Sequence, residues 1–167
     1  MLRIDLAAVR EGPVAIADQV APDDPLVKAT GLALAAPLEV SGRISTAGED
    51  KFYWQARLET VVRGECRRCL APVEVPVAQS LGLVFVTEGG SEGAEECYLV
   101  PRRAAAIDLT EAVREELLLA VPQYVVCRDD CRGLCPRCGA DLNAGPCGCA
   151  PETDPRWAAL TKLNRGE

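Results

Sequence analysis

Alternation of apolar and polar residues is the first organised signal along the chain. Leu38, Val40, Gly42 and Ile44 fall at spacing two, and Phe52, Trp54, Ala56 and Leu58 repeat the pattern after a turn signal at Gly48-Glu49-Asp50. Residues 38–62 are therefore predicted to form a β-hairpin. Two further same-face sets, Val73-Val75-Val77 and Leu81-Leu83-Phe85, predict a second strand pair. Upstream, Leu2, Ile4 and Leu6 alternate briefly before a loop marked by Pro13, Pro22 and Pro25. Residues 87–96 combine Gly89, Gly90 and Gly93 with Glu88, Glu92, Glu95 and Glu96 and have no apolar period, which predicts an exposed loop. A short further strand is expected at 97–100.

The period then changes. Asp108 is an N-cap residue followed three positions on by Glu111, a pairing that satisfies the first free amides of a helix. Val113, Leu117 and Leu118 share one helical face, largely opposite Arg114, Glu115 and Glu116, and Pro122 ends the run. This predicts a helix over about 109–121. Asp154-Pro155 is a second helix start, and Trp157, Leu160 and Leu163 form a short stripe after it. The expected fold class is α+β. An antiparallel β domain with one helix (1–124) precedes a Cys-rich zinc-knuckle module with a short C-terminal helix (125–167).

Composition narrows the chemistry. The 167 residues include nine cysteines and no histidine, and the formal net charge is −7. Without histidine, the commonest acid/base group and the commonest nitrogen ligand are both missing. Any transition-metal site must be built from thiolates, with at most a carboxylate added. No paired carboxylates or phosphate-cradling glycine loop stand out, so no catalytic residue is expected. The longest uncharged stretch, residues 75–87, is too short to span a bilayer, and residues 1–10 lack the apolar segment of a signal peptide. A soluble, cytoplasmic protein is expected. The negative charge argues against non-specific coating of nucleic acid. Arginine supplies all the basic residues except Lys28, Lys51 and Lys162.

Eight cysteines fall in two groups. Cys66 and Cys69 stand apart; Cys127, Cys131, Cys135, Cys138, Cys147 and Cys149 crowd the C-terminal part. Cys135-Pro136-Arg137-Cys138-Gly139 has the form of a zinc knuckle, in which a tight turn aims two sulfurs inward and glycine lets the chain turn back. Paired with Cys147 and Cys149, it makes a four-thiolate site closed by a short loop. The remaining Cys66, Cys69, Cys127 and Cys131 also make four, a second site that rests on arithmetic alone. Cys97 is left over. One or two structural Zn²⁺ ions per chain are expected, since closely spaced cysteines in a reducing compartment suit metal better than disulfides. An iron–sulfur cluster or a redox-active Cys66/Cys69 dithiol also fits these residues.

Four segments resemble a bacterial and plastid family. They are Glu65-Cys66-Arg67-Arg68-Cys69-Leu70, then Ile107-Asp108-Leu109 running into Glu115-Glu116-Leu117-Leu118-Leu119-Ala120-Val121-Pro122. The third runs from Cys131-Arg132-Gly133-Leu134-Cys135-Pro136-Arg137-Cys138-Gly139 to Asn143, and the fourth is Asp154-Pro155-Arg156-Trp157. Together they are similar to the large ribosomal RNA subunit accumulation (YceD-like) proteins over about residues 32–163. The resemblance implies a non-enzymatic role in synthesis or accumulation of large-subunit (23S) ribosomal RNA. It also implies that Cys66 and Cys69 share a site with Cys127 and Cys131. The expected partner is the pre-ribosomal large subunit, met through ribosomal RNA or an assembly protein, without membrane or small-molecule substrate. Arg63, Arg67, Arg68, Arg132 and Arg137 are the expected contact residues. Against direct RNA contact, Arg128, Arg132 and Arg137 are balanced by Asp129, Asp130 and Asp141. The alternatives are a thiol–disulfide redox protein using Cys66/Cys69 and a stand-alone zinc-ribbon nucleic-acid-binding protein.

Overall fold

The computed structural model describes residues 2–89, 97–149 and 156. Its scaffold is a β-sheet with strand order β2-β4-β5-β6-β7. These strands are β2 (Val14–Val20), β4 (Leu38–Thr46), β5 (Lys51–Glu65), β6 (Pro72–Thr87) and β7 (Tyr98–Val100). The short β3 (Ala33–Leu34) also pairs with β5, and β1 (Arg3–Asp5) pairs with β8 (Ala106–Asp108) in a separate ribbon. Among the described residues three helices accompany them: α1 (Leu6–Glu11), α2 (Pro25–Lys28) and α3 (Thr110–Ala120). The architecture is α+β and mostly sheet.

Period-two patterning places the core. Leu38, Val40 and Ile44 of β4 and Phe52, Trp54 and Leu58 of β5 are buried on one face, while Glu39, Ser41, Gln55 and Arg57 face solvent. Val9 of α1, Val27 of α2 and Ala112, Val113 and Leu117 of α3 are buried in the same apolar cluster. Among the described residues the result is a two-layer arrangement whose second sheet face presents exposed side chains such as Glu39, Ser41, Gln55 and Arg57. Gly42 allows β4 and β5 to lie closely together, since a Cβ there would fall 2.1 Å from the Gln55 carbonyl oxygen.

The β4–β5 hairpin turns at Gly48, φ 137°. Downstream, the expected strand pair at 73–85 is one continuous strand, β6, antiparallel to β5 from Glu65↔Pro72 to Lys51↔Val86. The parity of Val73, Val75, Val77, Leu81, Leu83 and Phe85 is unbroken through Ala78-Gln79-Ser80, so no turn is required. Pro72 and Pro76 lie where β6 has no second neighbour among the described residues, and there a missing N–H costs no ladder bond. The strand at 98–100 runs parallel to β6, so the sheet is not wholly antiparallel.

A further departure lies near the N-terminus. The region expected to hold a loop folds into α1, β2 and α2. Asp5 and Asp24 cap the two helices by accepting from the Ala7 and Leu26 amides, at 2.7 and 2.8 Å. These helices are short enough to escape a periodicity test. Helix α3 occupies the expected place, but its N-cap position is Leu109 rather than Asp108. Asp108, one residue earlier, accepts from the Thr110 amide at 3.0 Å and from Arg3 at 2.9 Å. Leu118, expected on the apolar face, is exposed, while Ala112 joins Val113 and Leu117 in the core. The terminal helix expected at 154–163 lies outside the described residues, Arg156 apart, as do residues 90–96 of the expected loop. Among the described residues no helix is long and apolar enough to cross a membrane.

Candidate metal centres

The β5–β6 hairpin, unlike β4–β5, is closed by a cysteine knuckle. Cys66 donates its amide to the Ala71 carbonyl (2.8 Å) and accepts at its own carbonyl from Leu70 (2.9 Å). The same pair of bonds recurs at the second knuckle, where the Cys135 amide meets the Ala140 carbonyl (2.8 Å) and the Gly139 amide meets the Cys135 carbonyl (2.9 Å). In both, the residue after the second cysteine adopts positive φ: 62° at Leu70 and 71° at Gly139. The two Cys-x-x-Cys segments are thus copies of one local fold. Glycine enters that conformation freely, whereas leucine is strained in it.

Tertiary structure then brings the segment 123–134 against the first knuckle. The Arg67 amide donates to the Val125 carbonyl (2.8 Å), and the Leu134 amide donates to the Arg68 carbonyl (3.0 Å). Arg68 Nη1 reaches the Asp129 and Cys131 carbonyls at 3.1 and 2.9 Å, and Arg67 Nε reaches the Gln123 carbonyl at 3.3 Å. Gly133, φ 73°, lets the backbones meet, since a Cβ there would lie 2.8 Å from the Arg68 carbonyl oxygen.

This docking places Cys66 Sγ 3.8 Å from Cys131 Sγ, and Cys69 Sγ 3.7 Å from Cys127 Sγ. The sulfurs of Cys66, Cys69, Cys127 and Cys131 all lie within 4.8 Å of one another. Those of Cys135, Cys138, Cys147 and Cys149 form a second group within the same limit. The edge of a sulfur tetrahedron around zinc, with bonds of about 2.3 Å, is about 3.8 Å. A disulfide requires about 2.05 Å instead. The spacing and the all-sulfur donor set therefore fit a tetrahedral thiophilic cation.

Electrostatics agree with that geometry. Burial opposes ionisation of Cys66, but the backbone N–H groups of Cys69, Arg68 and Cys127 outweigh it and draw the thiol down to about 6. The Arg68 amide lies 3.4 Å from this sulfur. Cys135 is likewise drawn down to about 6 by the Cys138 and Arg137 amides and the Cys147 thiol. Their neighbours move the other way. At Cys69 the Ala71 amide favours the thiolate, yet burial and the Cys66 thiol outweigh it and raise the group. Cys127 is pushed up to about 12 by burial and the surrounding thiols, and Cys149 to about 12 by Cys138, by burial and by Cys135. Like charges in one small volume limit ionisation; a divalent cation removes that limit.

The two groups differ in exposure. In the first, Cys66 and Cys131 are buried, Cys69 is intermediate and Cys127 is exposed; in the second Cys135 is buried, Cys138 is exposed, and Cys147 and Cys149 are intermediate. Of the arginines expected to contact RNA or a partner, Arg67 and Arg68 are committed to backbone carbonyls of the docked segment. Arg63 lies 3.9 Å from Glu74 across the β5–β6 hairpin. Arg132 and Arg137 are exposed and stand away from Arg63 in sequence. Asn143 was absent from the residues expected at a site. It accepts at Oδ1 from the Arg132 amide (2.8 Å) and Arg128 Nη2 (2.9 Å), and its Nδ2 lies 2.7 Å from Asp141 Oδ1 and 3.6 Å from Cys131 Sγ. The Asp141-x-Asn143 spacing, with its Asx turn, is the one local signal that marked it.

The class defined by these features is a two-centre thiolate-cluster protein, with one centre closing a β-hairpin and the other closing a short loop. A family model described as the large ribosomal RNA subunit accumulation protein YceD matches residues 54–164, and the chain belongs to that family. An uncharacterised protein of Mycobacterium tuberculosis (strain H37Rv) is 37% identical over 102 residues, which cover 60% of this chain and 49% of the relative. A Mycobacterium leprae protein is 29% identical over 133 residues, covering 77% and 59%. The chloroplastic large ribosomal RNA subunit accumulation protein YCED homolog 1 of Arabidopsis thaliana is 29% identical over 92 residues, covering 48% and 29%. The chain thus spans about half the length of the first mycobacterial relatives it matches. No solved structure matches it.

Proposed function

We propose that this protein is a non-enzymatic factor for accumulation of large-subunit ribosomal RNA, acting on the pre-ribosomal large subunit with structural zinc in both centres. The observation that carries this reading is the family match over 54–164, which contains all eight clustered cysteines. The sulfurs of each group, all within 4.8 Å of one another, leave room for a single tetrahedral ion rather than a multi-iron cluster, and zinc is the usual ion of closed four-cysteine structural sites. It would reinforce the link between the hairpin knuckle and the segment after α3, which backbone hydrogen bonds and the Arg67 and Arg68 side chains otherwise make.

Contact through a protein of the assembly pathway is favoured over direct RNA contact. Arg67 and Arg68 are spent on internal carbonyls, and the chain carries a net charge of −7. The thiol–disulfide alternative requires Cys66 and Cys69 as a free pair, yet each sulfur faces a thiol of the 127–131 segment at 3.7–3.8 Å. Depletion of the protein in its host, followed by quantification of large- against small-subunit ribosomal RNA, tests the proposal. The ratio is expected to fall and to be restored by the wild-type gene. An unchanged ratio overturns the reading.

A further inference from the structure

We propose that Asn143 is a positioning residue that couples the two centres, so that a cation in the second strengthens the hold of the first on its own. The inference rests on the metal reading given above. Asn143 belongs to the loop between Cys138 and Cys147, the loop that a cation in the second centre would close. Its amide nevertheless points at the first centre, with Nδ2 3.6 Å from Cys131 Sγ. An N–H donor on a ligating thiolate orients the sulfur and moderates its charge, and such outer partners are worth 10- to 100-fold in metal affinity.

The amide is held from every side. Its oxygen accepts from the Arg132 amide and the Arg128 guanidinium; its nitrogen donates to Asp141 and to Cys131. All four hydrogen bonds open to an asparagine side chain are made. The backbone beneath it is tied as well. Leu142 donates to the Gly133 carbonyl at 2.9 Å, and Leu134 bridges to Asp141. Gly133 and Leu134 in turn lie against Arg68 of the first knuckle. The route from second centre to first is therefore short: the knuckle at Cys135–Cys138, the 139–143 turn, and the Asn143 amide.

The two centres also differ in the way coupling needs. Each centre has one exposed cysteine, Cys127 in the first and Cys138 in the second. The first buries two of its four, Cys66 and Cys131, and the second only Cys135, so the second is expected to exchange its cation faster. Loss from the second centre would free the 138–147 loop and withdraw the Asn143 donor.

The test uses the full chain loaded with Zn²⁺ and measures release from each centre to a chromophoric chelator. Four proteins are compared: wild type, Asn143→Ala, a Cys138→Ser/Cys147→Ser protein that retains only the first centre, and the triple variant. Asn143→Ala is expected to keep two ions per chain and to lose the ion of the first centre about 10-fold faster. The Cys138→Ser/Cys147→Ser protein is expected to show a similar acceleration at that centre. Adding Asn143→Ala to it should change the rate by less than about twofold, the mark of a shared route. Asn143→Asp keeps the oxygen and removes the donor to sulfur, so it should behave as Asn143→Ala; near wild-type release by Asn143→Asp counts against the proposal. Unchanged first-centre release in Asn143→Ala, or multiplied effects in the triple variant, overturns the coupling while leaving the metal reading intact. Fewer than two ions per chain in the wild type overturns the metal reading and the coupling with it.

Discussion

Leu70 and Gly139 stand at the same place in two copies of one knuckle, with φ values of 62° and 71°. Left-handed backbone costs an L-residue about 1–2 kcal/mol, and the Leu70 side chain, 59% exposed, recovers little by packing. Leu70→Gly is therefore expected to stabilise the metal-loaded protein by about 1 kcal/mol, read from the midpoint of denaturant unfolding; part of the gain is offset by the greater freedom of glycine in the unfolded chain. Gly133→Ala should act in the opposite sense. Its φ of 73° and the 2.8 Å approach to the Arg68 carbonyl oxygen combine strain with a backbone clash. A loss of about 2–3 kcal/mol is expected in the same measurement. The two Cys-x-x-Cys pairs were legible because their spacing is local; the meeting of Cys66 and Cys69 with Cys127 and Cys131 spans about sixty residues and rested on arithmetic and resemblance. Leu70 and Asn143 were not legible, because leucine carries no signal for positive φ and an asparagine donor is recognised only beside its acceptor.

Elements add constraints that single residues do not show. Gly42 lies in the middle of β4, and Gly42→Ala would set a methyl group 2.1 Å from the Gln55 carbonyl oxygen of β5. The strands would have to separate there, with an expected loss of about 3 kcal/mol in thermal or denaturant unfolding. At the start of α3, Asp108 ties β8, β1 and the helix together. Partial burial works against its ionisation, but the Thr110 hydroxyl and amide and the Arg3 guanidinium outweigh it and hold the carboxyl below the ordinary aspartate value. Because the folded value is the lower one, this stabilisation is complete above the unfolded value of about 3.9 and is lost as pH falls through the folded value. Asp108→Ala is expected to cost about 1 kcal/mol at pH 7 and to flatten the decline in stability below about pH 4, measured by denaturant titrations across pH. Of the elements, the 38–62 hairpin and α3 were legible from period and caps, whereas α1 and α2 are too short for periodicity to register. The continuity of β6 was visible in its parity but was obscured by the polar Gln79-Ser80 between its apolar sets.

At the scale of the molecule, the first centre joins sequence positions about sixty residues apart, since Cys66 and Cys131 differ by 65. Chelation is expected to loosen residues 123–149 first and to leave the β4–β5–β6 sheet folded, because Trp54, Phe52 and Leu58 are buried independently of any thiol. Amide hydrogen exchange with and without chelator checks this: protection should fall at Cys131 and Leu134 and persist in β5. Cys66→Ser should lower the zinc content from two ions per chain to one, by elemental analysis, and Cys138→Ser should do the same through the other centre. Equal loss of protection in sheet and cysteine module would mean that the metal supports the whole fold.

The sequence by itself determined which residues of the 38–62 hairpin face the core, roughly where α3 lies, and that any transition-metal site is built on thiolates rather than histidine. These follow from periods of two and 3.6, from caps, and from a composition without histidine, all of them local or global counts. It also held the motif that places the chain in its family. Only the tertiary structure decided that Cys66 and Cys69 meet Cys127 and Cys131, that Arg67 and Arg68 serve backbone carbonyls, and that Asn143 reaches across to Cys131. Each of these depends on how the segment after α3 packs against the end of a long hairpin. That packing is set by backbone hydrogen bonds between distant residues, which leave no period in the chain.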